Sequence, residues 1–317
     1  MLLDWIYVAL GLIILLLAGD VLVKGAVNLA LRLGIPALIV SLTIVAFGTS
    51  APELLIAIDA VLDDQPGLAV GNVVGSNTAN VLLVLGLPAL ISTLDTRDCD
   101  TRMSYVQMLL GSILFIGLGF TGVFAWWHGL ILLAALSVVL GGQFRSARKH
   151  RMSADLAEDD EDVEGADPEL PKLRIALFLA LGVIGLPLGA DLLVDGASAI
   201  AKDFGMSDAA IGLSLVAIGT SLPELATTLV AAYRRQADVA LGNVIGSNMF
   251  NLLAIIGVTA LVAPIEVDDD FLELDFWMLL AASVVLVPFV FLKWKMSRVW
   301  GATFVIFYGL YLYMVLE

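Results

Sequence analysis

The chain has 317 residues, 60% of them hydrophobic and 15% charged, with a net charge of −15 at pH 7. A soluble domain of this length carries far more surface charge, so this composition and a mean hydropathy of +0.98 exclude that class and place the protein in a membrane. Its single cysteine, Cys99, excludes an internal disulfide.

Apolar runs long enough to cross a bilayer as helices recur along the whole sequence. Lipid cannot satisfy free backbone groups, so they predict an all-α membrane protein of ten transmembrane helices. The first run covers 2–23 and begins MLLDWIYV, which lacks a basic leading region and predicts no cleavable signal peptide. The second, 36–62, contains AFGTSAPELLI at 46–56, and the third, 67–92, contains GNVVGSNTANVLLVLG at 71–86. The fourth and fifth cover 103–121 and 123–144. An acidic linker follows over 146–171; its run EDDEDVE reads as a solvated loop. The sixth run is 173–199. The seventh, 207–232, contains AIGTSLPELAT at 217–227, and the eighth, 238–263, contains GNVIGSNMFNLLAIIG at 242–257. The ninth and tenth cover 271–292 and 298–316. His128 and His150 fall at predicted helix ends or in loops, where neither is placed as a buried base.

Lys and Arg collect in cytoplasmic loops. Of the 16 basic residues, all but Lys202 fall in the loops after spans 1, 3, 5, 7 and 9. This puts both termini outside and the linker inside. It also fits a multi-pass protein of the plasma (inner) membrane.

The two motif pairs recur at one fixed offset of 171 residues, with 7 of 11 and 9 of 16 positions identical and no gap between blocks. At the same offset the loop charges reverse. Lys24 corresponds to Asp195, Arg32 to Asp203, Asp63 and Asp64 to Arg234 and Arg235, and Arg97 and Arg102 to Asp268 and Glu273. Five spans are an odd number, so a second copy inserts upside down, and the positive-inside rule then inverts its charges. The chain thus divides into a repeat over 1–145, the linker 146–171 and an inverted repeat over 172–317. Inverted repeats are an architecture of secondary transporters.

Glu53 and Glu224 lie deep in apolar segments, at a cost of roughly 2.5–3.5 kcal/mol each on insertion scales. Both sit in GTS-x-PE. Pro52 and Pro223 remove an amide donor and clash with the carbonyls of Gly48 and Gly219, which predicts a broken helix lining a cavity. Thr49, Ser50, Thr220 and Ser221 face the same space. The second block adds Ser76, Asn77 and Asn80, and likewise Ser247, Asn248 and Asn251. Ser76 and Asn80 are four apart and share a helix face. Asn72 and Asn243 fit equally well as interhelical hydrogen-bond formers. The set holds carboxylates, hydroxyls, amides and carbonyls, without Cys or His. That disfavours zinc, copper and iron and suits calcium or sodium. Two carboxylates balance one divalent ion.

The paired GTSAPE/GTSLPE and GNVVGSNTAN/GNVIGSNMFN blocks resemble the two alpha-repeats of the sodium/calcium exchanger family, in its short prokaryotic form. The resemblance covers nearly the whole chain. It implies Glu53 and Glu224 as central calcium ligands shared with sodium. It further implies Thr49, Ser50, Thr220, Ser221, Ser76 and Ser247 as hydroxyl or carbonyl donors, and Ala46 and Ala217 as positions whose carbonyls bind sodium. Asn80 and Asn251 complete the implied site. Some relatives carry Asp at the position of Asn251, an arrangement associated with potassium dependence. The linker, about 26 residues, is short for the calcium-sensing loop of large eukaryotic members.

The leading expectation is an antiporter, not an enzyme, that exchanges sodium for calcium by alternating access. It needs no cofactor and no obligate protein partner; its partners are the two ions and the lipid bilayer, not nucleic acid. A proton/calcium exchanger is the alternative, separable by whether a sodium gradient without a pH gradient moves calcium. An intramembrane protease lacks a paired His or a second mid-membrane Asp. A passive channel does not account for the inverted repeat.

Overall fold

The structure is a computed structural model that describes residues 2–97, 99–154, 167, 170–204 and 217–316, without the side chains of 147–154, 217, 315 and 316. Most of the linker 146–171 and the start of the expected seventh span lie outside the described residues.

The fold is all-α. In chain order come α1 (Leu2–Leu33), α2 (Ala37–Thr49), α3 (Ala51–Leu62), α4 (Pro66–Ile91), α5 (Arg102–Gly119), α6 (Trp126–Ala154) and α7 (Lys172–Asp203). A short turn, Ala217–Gly219, leads to α8 (Leu222–Tyr233), followed by α9 (Ala237–Val262), α10 (Phe271–Phe291) and α11 (Arg298–Leu316). Among the described residues, 7 helices are long and apolar enough to cross a membrane, or 8 when the bent pair α2–α3 counts as one span. The first span extends to Leu33, beyond the apolar run, and carries Lys24, Asn28 and Arg32 at four-residue spacing on one face.

The elements repeat at the offset seen in the sequence. α3 and α8 have equivalent bounds, as do α4 and α9. Asp64 and Arg235, opposite in charge but equivalent in position, both adopt left-handed backbone, with φ of 61° and 55°. In each case the next amide returns to the helix end: Gln65 N–H to the Ala60 carbonyl and Gln236 N–H to the Ala231 carbonyl, both at 2.8 Å. The local chain geometry survives the reversal of charge because the turn is set by the backbone.

α4 and α9 are the most buried spans and form the centre of the molecule. α1 and α7 pack lengthwise on each other at its edge. Small residues permit their close approach. A Cβ at Gly11 would lie 2.6 Å from the Leu193 amide nitrogen, and one at Gly182 would lie 2.5 Å from the Leu22 Cβ. These contacts are themselves repeat-equivalent. A two-residue ribbon pairs Val123 with Glu266 and Phe124 with Ile265, and a bridge joins Leu94 to Met296.

Two features depart from the sequence expectation. His128, expected at a helix end or in a loop and not as a buried base, lies at the start of α6 but is buried, and its Nδ1 accepts the Ala125 N–H at 3.0 Å. Wide π-helical turns also interrupt the spans at Ser41–Val45, Asn80–Val84, Phe250–Ile255 and Phe271–Asp275. Such turns re-aim side chains and occur often at functional sites.

Candidate functional site

The bend between α2 and α3 measures 42° and falls between Thr49 and Ala51. It follows from Pro52 in the first turn of α3, and Pro223 occupies the same place in α8. Each proline starts a new helix whose N-terminal end favours negative charge. Glu53 and Glu224 occupy those ends and are completely buried.

Ser50 to Glu53 and Ser221 to Glu224 both read S-x-x-E, the pattern of a capping box. Neither Ser50 nor Ser221 caps its own helix. The Ser50 hydroxyl instead donates across to Glu224 Oε1 at 3.4 Å. Glu53 Oε1 and Oε2, Glu224 Oε2 and Ser221 Oγ have no hydrogen-bond partner. A buried polar atom left unpaired costs about 1–3 kcal/mol. Three of these four unpartnered atoms are carboxylate oxygens.

The walls come from α4 and α9. Thr49 Oγ1 lies 3.3 Å from Ser247 Oγ, 3.3 Å from the Ala46 carbonyl and 3.4 Å from Asn243 Oδ1. On the other side Ser76 Oγ lies 3.5 Å from Thr220 Oγ1. The Asn80 amide donates to Asn248 Oδ1 at 3.1 Å, leaving Asn80 Oδ1 unpartnered. Asn251 is fully buried with both side-chain polar atoms unpartnered. Asn80 and Asn251 lie in the two equivalent π-turns.

The backbone carbonyls differ between the bends. The Ala46 carbonyl accepts the Ser50 N–H at 3.0 Å, whereas the Ser221 N–H goes to Ile218, one residue closer. Ala217 lies in the described turn, though its side chain does not.

The structure thus pairs Thr49 with Ser247, Ser50 with Glu224, Ser76 with Thr220 and Asn80 with Asn248 across the two repeats, and it buries Glu53, Ser221 and Asn251 in the same segments. Asn243 is structural: its amide donates to the Glu224 carbonyl at 3.3 Å and to Thr228 Oγ1 at 3.2 Å. Thr228 was not legible as its partner, because the equivalent residue in the other repeat is Ala57. Asn77 and Asn248 hold α4 to α9: each carboxamide donates to the other's carbonyl, at 3.2 and 3.3 Å. Among the described residues no group of three or more His, Cys, Asp or Glu is arranged to hold a metal.

Comparison with known proteins gives a consistent picture. The sequence profile of the family described as "Sodium/calcium exchanger protein" matches residues 3–145 and 174–317. The chain is 31% identical to the sodium/calcium exchanger MaX1 of Methanosarcina acetivorans, over 98% of this chain and 97% of that protein. It is 35% identical to the inner membrane protein YrbG of Escherichia coli, over 94% of this chain and 90% of that protein. Among solved structures it is similar to the sodium-calcium exchanger NCX_Mj, with a TM-score of 0.82 and 31% identity over 99% of both chains.

Proposed function

The chain belongs to the sodium/calcium exchanger family of cation antiporters, and from that premise we propose that it exchanges sodium for calcium across the plasma membrane by alternating access. The reading is carried by one observation: of the four oxygens of two fully buried carboxylates, Glu53 and Glu224, three have no protein partner, and the fourth accepts a hydroxyl from the other repeat. An oxygen-only cage with two negative charges suits a calcium ion, whose coordination takes 6–8 oxygens. The same charge is balanced by two monovalent ions, so sodium and calcium compete for one set of ligands.

In this reading Glu53 and Glu224 are the central ligands. Thr49, Ser50, Ser76, Thr220, Ser221, Ser247, Asn80 and Asn251 surround them, and the Ala46 and Ala217 carbonyls serve sodium. Repeats 1–145 and 172–317 form ten spans of inverted topology around the site, with both termini outside and the linker inside.

Radioactive calcium uptake into vesicles carrying the purified protein tests the proposal. Sodium loaded inside, with no pH gradient, drives calcium in. Uptake driven by a pH gradient and indifferent to sodium replaces sodium with protons as the coupling ion.

A further inference from the structure

The two repeats share a pattern but not a set of contacts. α1 lies against α8, whereas α7 makes no comparable approach to α3, the repeat-equivalent pair. In the α1–α8 contact a Cβ on Gly19 would sit 3.2 Å from the Ala226 carbonyl oxygen, tight enough to push the α8 backbone away by a few tenths of an ångström. Ala226 is 6% exposed, and its equivalent Leu55 is 64% exposed.

An ion pair sits beside this contact. Arg234, directly after α8, donates from Nε to Asp20 Oδ1 of α1 at 2.7 Å and also pairs through its second nitrogen. Lys24, one turn along α1, holds the other oxygen of Asp20 at 2.8 Å. The three side chains are only 18–35% exposed, which makes the network stronger than an isolated surface pair.

The opposite face keeps the aspartate and differs at the other four positions. Ala190 replaces Gly19 and Leu55 replaces Ala226, so both small residues of the α1–α8 contact have larger counterparts. Asp191 replaces Asp20, Asp195 replaces Lys24 and Asp63 replaces Arg234, so the ionic network becomes three like charges. Bringing α7 onto α3 as α1 lies on α8 would press those charges together.

We infer that Arg234 is a positioning residue of the carrier: its ion pair with Asp20 latches α8 onto α1 and closes that face, and among the described residues the repeat-equivalent positions of the opposite face form no such pair. The two closed states are therefore unequal in energy. The carrier rests with the Lys24/Arg234 face shut and the face bearing Asp63, Asp191 and Asp195 available to cations, whose approach those carboxylates favour. The consequence for transport rests on the exchanger reading; the latch itself rests on geometry alone.

Amide hydrogen exchange on the full chain in lipid nanodiscs tests the latch, with residues 222–233 compared against 51–62. Arg234→Gln is expected to speed exchange in 222–233 about fivefold while 51–62 stays unchanged. Gly19→Ala, which leaves every charge in place, is expected to do the same. The swap Asp20→Arg with Arg234→Asp is expected to restore most of the protection. Unchanged exchange in Arg234→Gln, equal acceleration of both segments, or a swap without rescue overturns the inference. Sodium-driven calcium uptake by the same samples separates the two readings: uptake without differential exchange removes the latch, and differential exchange without uptake removes the sodium/calcium assignment.

Discussion

The carboxamides of Asn77 and Asn248 each donate to the other residue's backbone carbonyl, at 3.2 and 3.3 Å across a sequence separation of 171. A contact from i to j matched by one from j to i is the signature of a two-fold relation. One turn further on the relation fails. Asn80 donates to Asn248 Oδ1, but the matching bond from Asn251 to Asn77 is not made, and both of its atoms lack partners. The symmetric part of the centre holds the helices together; the part that breaks symmetry leaves polar atoms uncommitted.

That break predicts unequal stabilities for equal substitutions. Asn77→Ala removes one buried bond, whereas Asn248→Ala removes two, its own and the one it accepts from Asn80. Each loss costs about 1–3 kcal/mol where it orphans a buried partner. Thermal unfolding in detergent should show Asn248→Ala as the less stable variant, by at least about 1 kcal/mol. Equal midpoints would contradict the asymmetry.

Glu53→Gln and Glu224→Gln should each abolish calcium exchange while leaving folded protein in the membrane. Glu53 has no partner to lose, and a neutral amide is cheaper to bury than a carboxylate. Its variant should therefore unfold no earlier than the parent in ion-free buffer. Near-normal transport by either variant removes that residue from the site.

Asn251 should decide which further ions couple to calcium. With Asn there the cage holds two carboxylates, enough to neutralise one calcium. Asn251→Asp adds a third negative charge where screening by water is weak, which draws in a further monovalent cation or a proton. The parent protein should exchange equally well with and without potassium, and Asn251→Asp should become potassium-stimulated or proton-sensitive. Collapse of the parent's transport on potassium withdrawal would sink the idea.

Outside the membrane, Asp95 accepts two side-chain bonds from Arg97, both at 2.9 Å, and a backbone bond from it at 3.4 Å, and pairs with Lys295 at 2.9 Å. The Arg97 hydrogen bonds are the largest influence, and with Lys295 they outweigh partial desolvation to hold its carboxyl well below the usual range. A depressed folded-state pKa gives stability that is present above the unfolded value, near 4, and lost as pH falls toward the folded one. The side chain is 41% exposed, so solvent screening limits the gain to under about 1 kcal/mol. Asp95→Asn should lower the unfolding midpoint slightly at pH 7, and the difference should shrink steadily below about pH 4. A difference that grows on acidification would contradict the assignment.

The sequence alone determined the apolar spans, the offset that relates the two halves and the residue types of the cage. Each of these is a local property: a run of hydrophobic residues, a motif that recurs, a proline one residue before a glutamate. It could not assign Asn243, because its partner Thr228 stands where the other half has Ala57. It gave no sign of the π-turns at Asn80 and Phe250, since an inserted residue in a helix leaves hydrophobic periodicity almost intact. It placed His128 at an end without showing that the end is buried. Above all, a duplicated sequence specifies two equivalent arrangements and cannot say which is formed. Only the packing of α1 against α8 decided that, because Gly19, Ala226, Asp20 and Arg234 are scattered along the chain and acquire meaning when two helices touch.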